Sequence, residues 1–298
     1  MSDLSLAEAT WDTIDIVAVR SVAWLSVELV SADIWNTFSD GKGPFAFVGE
    51  ILRSRRSDTT ELVGAALVCG DMESERHFFE DTSNVRFRSV DGYDISQVSL
   101  DRYVPNGIIW NPQKADCNEL DLPDNSYDLI VANHGAHHVM NLENLFAQAK
   151  TALRPNGIFY MYEWIGPTYL QLPRRNRFWA TALLLLLFPK AATRTTHMGR
   201  TKGLKYLQDP ADSFDPSEAC NSLSLQPEYE RNFTSIKQYR HGGITYPMFE
   251  GLAQNLNQSL RTTRLRILFA VKAERLLTRL RLVRPLFTVA IGEPKTTE

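Results

Sequence analysis

A glycine turn and an acidic residue follow two successive apolar stretches of the chain, and this pairing suits the binding of a ribose-containing ligand. The stretch 64–71 ends in Cys69-Gly70-Asp71, and Asp94 ends the next strand-like stretch, 24 residues after Gly70. A glycine lets the backbone approach a ligand closely, and an acidic residue about 20 positions later accepts hydrogen bonds from ribose hydroxyls. We therefore expect Gly70 and Asp94 to face one crevice.

A second pair of strand ends lies further along the chain. Asp116 follows one strand, and the apolar run 129–132 ends at Asn133 and His134. The carboxyl ends of parallel strands meet at one edge of an open α/β sheet, which is where such sheets bind ligands. Asp116, Asn133 and His134 are therefore predicted to lie in the same crevice as Asp94.

His137, His138 and Glu163 are the candidate catalytic residues. Histidine is the usual proton acceptor near neutral pH, so one of the two histidines is a candidate general base and the other a structural histidine at a helix start. The alternative is that both histidines only shape the pocket. Glu163 and Trp164 follow a strand, so we expect both to point into the crevice. Cys117 has no base near it in sequence and is expected to be an apolar filler rather than a nucleophile.

Strand and helix patterns alternate around these residues. Apolar runs predict strands at 64–71, 85–94, 107–110, 129–132 and 158–162. Residues at helical spacing predict a helix from Leu142 to Leu153, stopped by Pro155 and Gly157 before the next strand. Strand, helix and strand in that order form a parallel crossover, so the sequence predicts an α/β fold.

The stretch from Ala115 to Val139, with the helix and Leu153-Arg154-Pro155-Asn156-Gly157 after it, resembles a class I S-adenosylmethionine-dependent methyltransferase of the type 11/12 kind. The resemblance covers residues 62–167 and returns more weakly near the end of the chain. It implies a Rossmann-like α/β sheet, with S-adenosylmethionine as the cofactor.

The resemblance also implies a role for each strand end. It places the turn Cys69-Gly70-Asp71 under the methionyl part of the cofactor, and Asp94 at the ribose. It places Asp116 at the adenine amino group, with Cys117 beside the ring. It places Asn133 and His134 near the methionyl ammonium of the cofactor.

The cofactor turn departs from the family pattern. Family members usually have two or three glycines there, whereas this chain keeps only Gly70 and has Met72 and Glu73 where small residues are common. A Cβ restricts both the bend of a loop and its approach to a ligand. Either the loop follows a different path, or cofactor binding has weakened; the retained Asp94 and Asp116 favour the first alternative.

The chain is expected to divide into a helical N-terminal cap (1–60), a Rossmann-like core (61–165), a lid or substrate insertion (166–231), and C-terminal strands with a basic helix (232–298). Long insertions rich in turn residues are typical of functional lids. The Glu-Trp-Ile-Gly-Pro and Asp-Pro-Ser-Glu-Ala segments within 163–219 are similar to those of bacterial methyltransferases associated with sugar and surface-polysaccharide assembly.

The C-terminal part predicts two antiparallel strands, 233–239 and 286–291, joined by a helical excursion. Residues 261–284 of this excursion have eight basic residues and one acidic residue, Glu274, interleaved with leucines and other apolar residues. Such a helix either lies on an anionic membrane, binds a lipid-linked or phosphorylated substrate, or docks on the fold with a solvated basic face. We favour the docked helix.

Length and composition set outer bounds on the function. A chain of 298 residues can bury a sizeable core, and its net charge of -3 argues against a general nucleic-acid binder. Three cysteines without a CxxC pair give neither a zinc site nor a disulfide framework, so we expect no metal and a reducing compartment. No apolar run approaches the ~20 residues of a membrane span, so we expect a soluble cytoplasmic protein.

The expected function is methyl transfer from S-adenosylmethionine to an oxygen or nitrogen of a small-molecule or glycan-type acceptor. If neither histidine removes the proton, that role falls to Glu163, to a lid residue such as His197, or to water. A nicotinamide-dependent oxidoreductase is disfavoured because the GxGxxG fingerprint is absent. A binding or regulatory protein with a degenerate methyltransferase fold and a membrane-peripheral protein acting on a lipid-linked substrate remain open as alternatives.

Overall fold

A computed structural model describes residues 8, 9, 12, 24–57, 61–82, 85–190, 195–197, 200–202, 217–250 and 252–296, with the backbone alone described at 195–197, 200–202 and 254. The strands of these residues are β1 (Leu62–Leu67), β2 (Phe87–Asp94), β3 (Ile109–Lys114), β4 (Tyr127–Asn133), β5 (Leu153–Trp164), β6 (Thr195–His197), β7 (Arg200–Lys202), β8 (Phe233–His241) and β9 (Phe287–Pro294).

Seven of these strands form one sheet in the order β3-β2-β1-β4-β5-β9-β8. The first five strands in that order are parallel, whereas β9 runs antiparallel to both β5 and β8. The strands β6 and β7 pair separately as a short hairpin. This is the Rossmann-like α/β sheet that the sequence predicts, with the two C-terminal strands antiparallel as expected.

The described helices are α1 (Glu28–Ser39), α2 (Pro44–Arg55), α3 (Arg76–Glu80), α4 (Gln97–Leu100), α5 (Leu142–Ala152), α6 (Arg174–Leu187), α7 (Ser222–Asn232), α8 (Thr245–Phe249) and α9 (Arg261–Arg279). Side chains alternate across the sheet, so that Leu129 and Val131 belong to one apolar core and Ile130 and Ala132 to the other. The first core includes α1, α2, α3, α8 and α9, and the second includes α5 and α7.

The ends of several elements differ from the predictions for physical reasons. The first strand stops at Leu67 rather than at residue 71 because Val68, Gly70 and Met72 all have positive φ. The third strand lies later than predicted, at β3, where its position on the sheet edge tolerates Pro112. The fifth strand begins directly after α5 and is longer than predicted.

The N-terminal and insertion segments are described in part. The predicted helical cap contains α1 and α2, and much of its first part lies outside the described residues. The insertion contains α6, the β6–β7 hairpin and α7, while residues 191–194, 198–199 and 203–216 lie outside the described part. The division of the chain into cap, core, lid and C-terminal part stays a prediction.

The basic helix α9 docks on the fold, as we favoured. Its buried side includes Ile267, Ala270 and Leu277. The single acid of this helix, Glu274, also points inward, where its two oxygens accept backbone N–H groups of Gly242, Ile244 and Thr245. Among the helices of the described residues, none has the length and apolar character needed to cross a bilayer.

Candidate active site

The carboxyl ends of the parallel strands surround a cavity of about 680 Å³, which lies within the size range of small-molecule sites. All eight residues that the resemblance implies as cofactor contacts line this one cavity. They are Cys69, Gly70, Asp71, Asp94, Asp116, Cys117, Asn133 and His134. The sheet therefore brings together side chains that lie up to 65 positions apart in the sequence.

The turn after β1 presents its backbone to the cavity. Gly70 has a φ of 52°, and a Cβ added there would meet no protein atom within 4 Å. Its N–H donates to Asp94 Oδ2 at 2.8 Å, so the end of β2 fixes the shape of the turn. Its Cα therefore borders open space that a ligand can fill.

Met72 and Glu73 do not obstruct the cavity, although they replace small residues of the family. Met72 takes a φ of 60°, and its side chain is fully buried in the core rather than lining the cavity. Glu73 points outward to solvent. The fewer glycines therefore change the backbone strain of the loop and leave the cavity open.

Asp94 is held by the backbone on both sides of its carboxylate. Besides the bond from Gly70, its Oδ1 accepts the N–H of Ser96 at 2.9 Å. Burial raises the pKa of Asp94, while the bonds from Ser96 and Gly70 act in the opposite direction. Each carboxylate oxygen can accept a second hydrogen bond, so both remain capable of meeting a ligand hydroxyl.

The loop after β3 forms another wall. Asp116 Oδ1 accepts bonds from the backbone N–H and the side-chain amide of Asn118, at 2.9 and 2.8 Å. Burial raises the pKa of the Cys117 thiol to about 12, so this cysteine stays protonated. That state agrees with the expectation that Cys117 is not a nucleophile.

The end of β4 carries a neutral histidine. His134 lines the cavity and has a φ of 59°. Its backbone N–H donates to the backbone carbonyl of Tyr162 at 2.8 Å. Burial lowers the pKa of His134 to about 4. Gly135 follows it, and a Cβ there would lie 2.4 Å from the carbonyl oxygen of Val68, so the two loops pack too closely for any other residue.

Glu163 and His137 form a buried ion pair. We had expected Glu163 to point into the crevice, but it does not line the cavity and is fully buried. Its Oε1 accepts the N–H groups of Gly135 and Ala136 at 2.9 and 2.8 Å, and its Oε2 lies 2.8 Å from His137 Nδ1. The other ring nitrogen of His137 is 3.4 Å from Glu218 Oε1.

This arrangement keeps His137 charged. Burial lowers its pKa, but the hydrogen bonds and charges of Glu163 and Glu218 outweigh burial and raise that pKa to about 10. Burial raises the pKa of both glutamates, but the interactions with the histidines outweigh burial and lower the pKa of each below its usual value, for Glu218 to about 2. An imidazolium already held between two carboxylates is poorly suited to accept a proton at neutral pH.

His138 is the other histidine of the pair, and its ring centroid lies 4.3 Å from that of His137. It lines the cavity, and its Nδ1 lies 3.0 Å from Ser217 Oγ. The ligand-type atoms of His137, His138 and Glu218 lie within 4.8 Å of one another, which is close enough for a metal ion. The ion pairs of His137 already use both of its ring nitrogens, so a metal would have to displace Glu218 or the ring proton.

The far end of the cavity is an aromatic chamber. Its walls include Trp24, Trp164, Tyr246 and Phe287. The Phe287 ring lies 5.1 to 5.2 Å from each of the other three. Trp164 reaches the cavity as expected, whereas Trp24 and Tyr246 were not singled out in the sequence.

A partly accessible carboxyl, Glu250, completes this chamber. Its Oε2 accepts the backbone N–H of Trp24 at 3.0 Å. Burial raises the pKa of Glu250 to about 7, although the bond from Trp24 acts in the opposite direction. The sequence analysis did not identify Glu250 as a site residue. The pattern that could have indicated it is a single acidic residue directly after Pro247, Met248 and Phe249.

Comparison with known proteins bears on this site. Residues 69–161 match the Methyltransf_11 family model, a methyltransferase domain. These residues include β2 to β4, α5, most of β5 and all eight candidate cofactor contacts. The family resemblance that the sequence suggests is thereby confirmed, and the sugar-associated subgroup stays a prediction.

Curated relatives match over a short stretch. A sterol 24-C-methyltransferase of Yarrowia lipolytica is 36% identical over 52 residues, which is 17% of this chain and 14% of that protein. A sterol 24-C-methyltransferase of Gibberella zeae, ERG6B, is 35% identical over 52 residues, with the same shares. The match thus spans about a seventh of the length of these relatives.

Solved structures align with nearly the whole chain. The Haemonchus contortus phosphoethanolamine N-methyltransferase 2, in complex with phosphomonomethylethanolamine and S-adenosylhomocysteine, covers 99% of this chain and 61% of its own, with 12% identity and a TM-score of 0.50. The geranyl diphosphate C-methyltransferase of Streptomyces coelicolor A3(2) covers 99% of both chains, with 10% identity and a TM-score of 0.48. With 12% identity, the similarity to the Haemonchus contortus enzyme concerns the fold alone.

Proposed function

We propose that this chain, whose residues 69–161 form a class I S-adenosylmethionine-dependent methyltransferase domain, transfers the methyl group of S-adenosylmethionine to an oxygen or nitrogen of a small-molecule or glycan-type acceptor. One observation carries the proposal. The eight positions that the family resemblance implies as cofactor contacts all line a single cavity at the carboxyl ends of the parallel strands.

The residues present fit the cofactor. Gly70 leaves open space beside its backbone, and the carboxylate of Asp94 is fixed in place by two N–H groups with acceptor capacity to spare. We propose that Asp94 accepts the ribose hydroxyls and that Asp116 accepts the adenine amino group. In the same arrangement Cys117 packs beside the adenine, while Cys69, Gly70, Asp71, Asn133 and His134 surround the methionyl part.

The bound cofactor supplies an electrophilic methyl group on a sulfonium, and the chain's own residues hold the acceptor in line with it. We propose that the chamber of Trp24, Trp164, Tyr246 and Phe287 holds the acceptor, because its walls are aromatic and partly enclosed. Fixing two reactants at near-attack distance supplies a large part of the rate in such a displacement. An acceptor with an apolar or ring-shaped body and one hydroxyl or amine suits this lining.

We propose His138 as the base that receives the acceptor proton. Both histidines line the cavity, but His137 is held as an imidazolium between Glu163 and Glu218. Glu163 acts in this scheme as a positioning residue, since it fixes His137 and the backbone of Gly135 without reaching the cavity. Glu250, which lines the same cavity, is a further group able to take up a proton near neutral pH.

The proposed acceptor carries its oxygen or nitrogen on a small molecule or a glycan. The relatives named above include methyltransferases of sterols and of phosphoethanolamine, so their names alone do not select one acceptor. The similarity of the segments within 163–219 to polysaccharide-associated methyltransferases supports testing hydroxylated sugars beside apolar alcohols and amines.

Methyl-labelled S-adenosylmethionine tests this function. The purified chain is incubated with the labelled cofactor and pools of apolar alcohols, amines and sugars, and label in the products is detected by mass spectrometry. We expect label in at least one pool and the matching release of S-adenosylhomocysteine, with both reduced about 10²–10⁴-fold in His138→Ala. A chain that binds the cofactor but releases no S-adenosylhomocysteine with any pool would favour the binding or regulatory alternative.

A further inference from the structure

The helix α9 has two apolar sides, and only one of them is covered by the fold. The outer side carries Leu265, Phe269, Leu276 and Leu280, each more than half exposed. Their spacing of four, seven and four residues places them in one stripe along the helix. We call these four residues the α9 stripe. A surface helix that merely docks needs no such second stripe.

Basic residues border the α9 stripe without any acid among them. Arg266, Lys272 and Arg279 are exposed and form no ion pair with a described residue. Other arginines of the helix are tied to the fold, since Arg264 lies 3.7 Å from Glu28. The one acid of α9 is turned inward, as described above. The outer side of α9 therefore combines exposed leucine and phenylalanine with unneutralised positive charge.

A second helix repeats this combination. The residues of α6 include no acid, and its exposed apolar residues are Phe178, Leu185 and Leu186. The two helices are joined, because the side-chain amide of Asn176 on α6 donates to the carbonyl of Arg284, just after α9, at 2.7 Å. Single exposed apolar residues are ordinary on protein surfaces, whereas rows of them on neighbouring basic helices mark an interaction surface.

We propose that the α9 stripe, with the exposed apolar side of α6, binds the surface of an anionic lipid bilayer. Apolar side chains of an interfacial helix enter the boundary between headgroups and acyl chains, and the flanking Lys and Arg side chains reach the anionic headgroups. Each basic residue near an anionic surface raises the partition coefficient by about fivefold. No helix needs to cross the bilayer for this mode of attachment.

Charge favours a lipid surface over the other occupants of such a face. A two-fold symmetric dimer through this stripe would bring the same arginines of two copies together, and like charges in contact oppose association. A nucleic acid would use the basic residues but leave the leucines and Phe269 uncovered. An anionic bilayer satisfies both the apolar stripe and the charges that border it.

The position of this surface relates it to the cavity. The short helix α8 packs against both α6 and α9, and its Tyr246 is a wall of the aromatic chamber. A chain attached through α6 and α9 would therefore hold its chamber one helix away from the lipid. This relation is compatible with an acceptor taken from the bilayer, although lipid binding itself does not depend on the proposed methyl transfer.

Vesicle sedimentation with the full chain tests the proposal. The probes are vesicles of phosphatidylcholine alone and vesicles with about 30 mol % phosphatidylglycerol, at low and high salt. We expect the chain to sediment with the anionic vesicles and to be released by high salt. The triple variant Arg266→Gln/Lys272→Gln/Arg279→Gln should lower the partition coefficient by about 100-fold, the product of three fivefold losses.

The apolar stripe is tested separately. Leu265→Gln/Phe269→Gln/Leu276→Gln should lower partitioning at least about tenfold, since three apolar side chains no longer leave water. The control is Val104→Gln/Ile109→Gln, which changes two apolar residues that are at least as exposed as those of the α9 stripe. They lie by the β3 edge, and β3 and β8 are at opposite edges of the sheet. The control should bind vesicles like the unchanged chain.

Each opposite result overturns the proposal. It fails if the unchanged chain stays in the supernatant with anionic vesicles, or if the stripe variant sediments like the unchanged chain. It also fails if sedimentation equilibrium shows a dimer that the stripe variant loses, which would identify a second copy as the occupant. Titration of each variant with S-adenosylmethionine checks that the fold is intact, and its outcome is independent of lipid binding.

Discussion

Gly70 offers the sharpest separation between a residue needed by the fold and one needed by a ligand. Its Cβ position meets no protein atom within 4 Å, so the protein itself has room for a larger side chain. That room is part of the candidate cofactor site. The variant Gly70→Val should therefore place its branched side chain in the ligand's path while disturbing the surrounding protein little.

The chain contains a matched control for the backbone effect. Gly107 also has a positive φ, of 77°, and open space at its Cβ position, but it does not line the cavity. A residue with a Cβ in the left-handed region costs roughly 1–2 kcal/mol. Gly70→Val and Gly107→Val should thus lose comparable stability in a denaturant titration.

Affinity should separate the two variants. In calorimetric titration with S-adenosylmethionine, Gly70→Val should lose at least about 100-fold in affinity, or about 2.7 kcal/mol of binding free energy. Gly107→Val should bind within a few-fold of the unchanged chain. If Gly70→Val kept normal affinity, the cofactor would have to lie away from this turn and our placement would be refuted.

Three further predictions concern individual side chains. Asp94→Asn should weaken S-adenosylmethionine binding about tenfold or more, because charge-assisted hydrogen bonds are worth roughly 1.5–3 kcal/mol. The control is Asp128→Asn, which changes a buried carboxylate that accepts the backbone N–H of Val63 at the amino end of β4 and should lower stability without changing the affinity. Equal affinities of the two variants would exclude Asp94 as a ribose contact. His138→Ala should cut turnover by about 10²–10⁴-fold, the usual contribution of a general base, with cofactor affinity within a few-fold and a smaller loss at high pH; an equal loss of affinity would make His138 a pocket-shaping residue. Glu250→Gln should gain stability relative to the unchanged chain as pH rises, because burial raises the pKa of Glu250 from 4.5 to about 7. The protonated Glu250 contributes its full stability below pH 4.5, and this contribution is lost as pH rises through 7. Urea titration should show a stability difference between the two proteins that changes by at most about 2.5 kcal/mol from about pH 5 to pH 8, and a pH-independent difference would contradict the raised pKa.

The ends of β2 and β4 were predictable because each combines apolar residues with a polar residue that ends the strand. The carboxyl ends of parallel strands meet at one edge of the sheet, so the order of strands in the sequence was enough to predict that Asp94, Asp116 and Asn133 line one cavity. The precise end of β1 was not predictable. Val68 and Met72 adopt positive φ, which their residue types disfavour, and tertiary packing overrides that preference.

The residues missed by the sequence come from distant segments with no local signal. Trp24 and Glu250 meet through a hydrogen bond across 226 positions, and only the packed fold brings them to the chamber. The role of Glu163 was misjudged for a related reason. A strand end fixes where a residue lies, but the backbone N–H groups of Gly135 and Ala136 draw its carboxylate under the loop instead of into the cavity.

A crystal structure of the chain with bound S-adenosylhomocysteine tests the central claim most directly. Our account predicts the ribose hydroxyls within hydrogen-bond distance of Asp94, the adenine amino group at Asp116, and the homocysteine part over Gly70. The vacated methyl position should then face the aromatic chamber of Trp24, Trp164, Tyr246 and Phe287. A ligand bound elsewhere, or one whose ribose does not contact Asp94, would contradict the account.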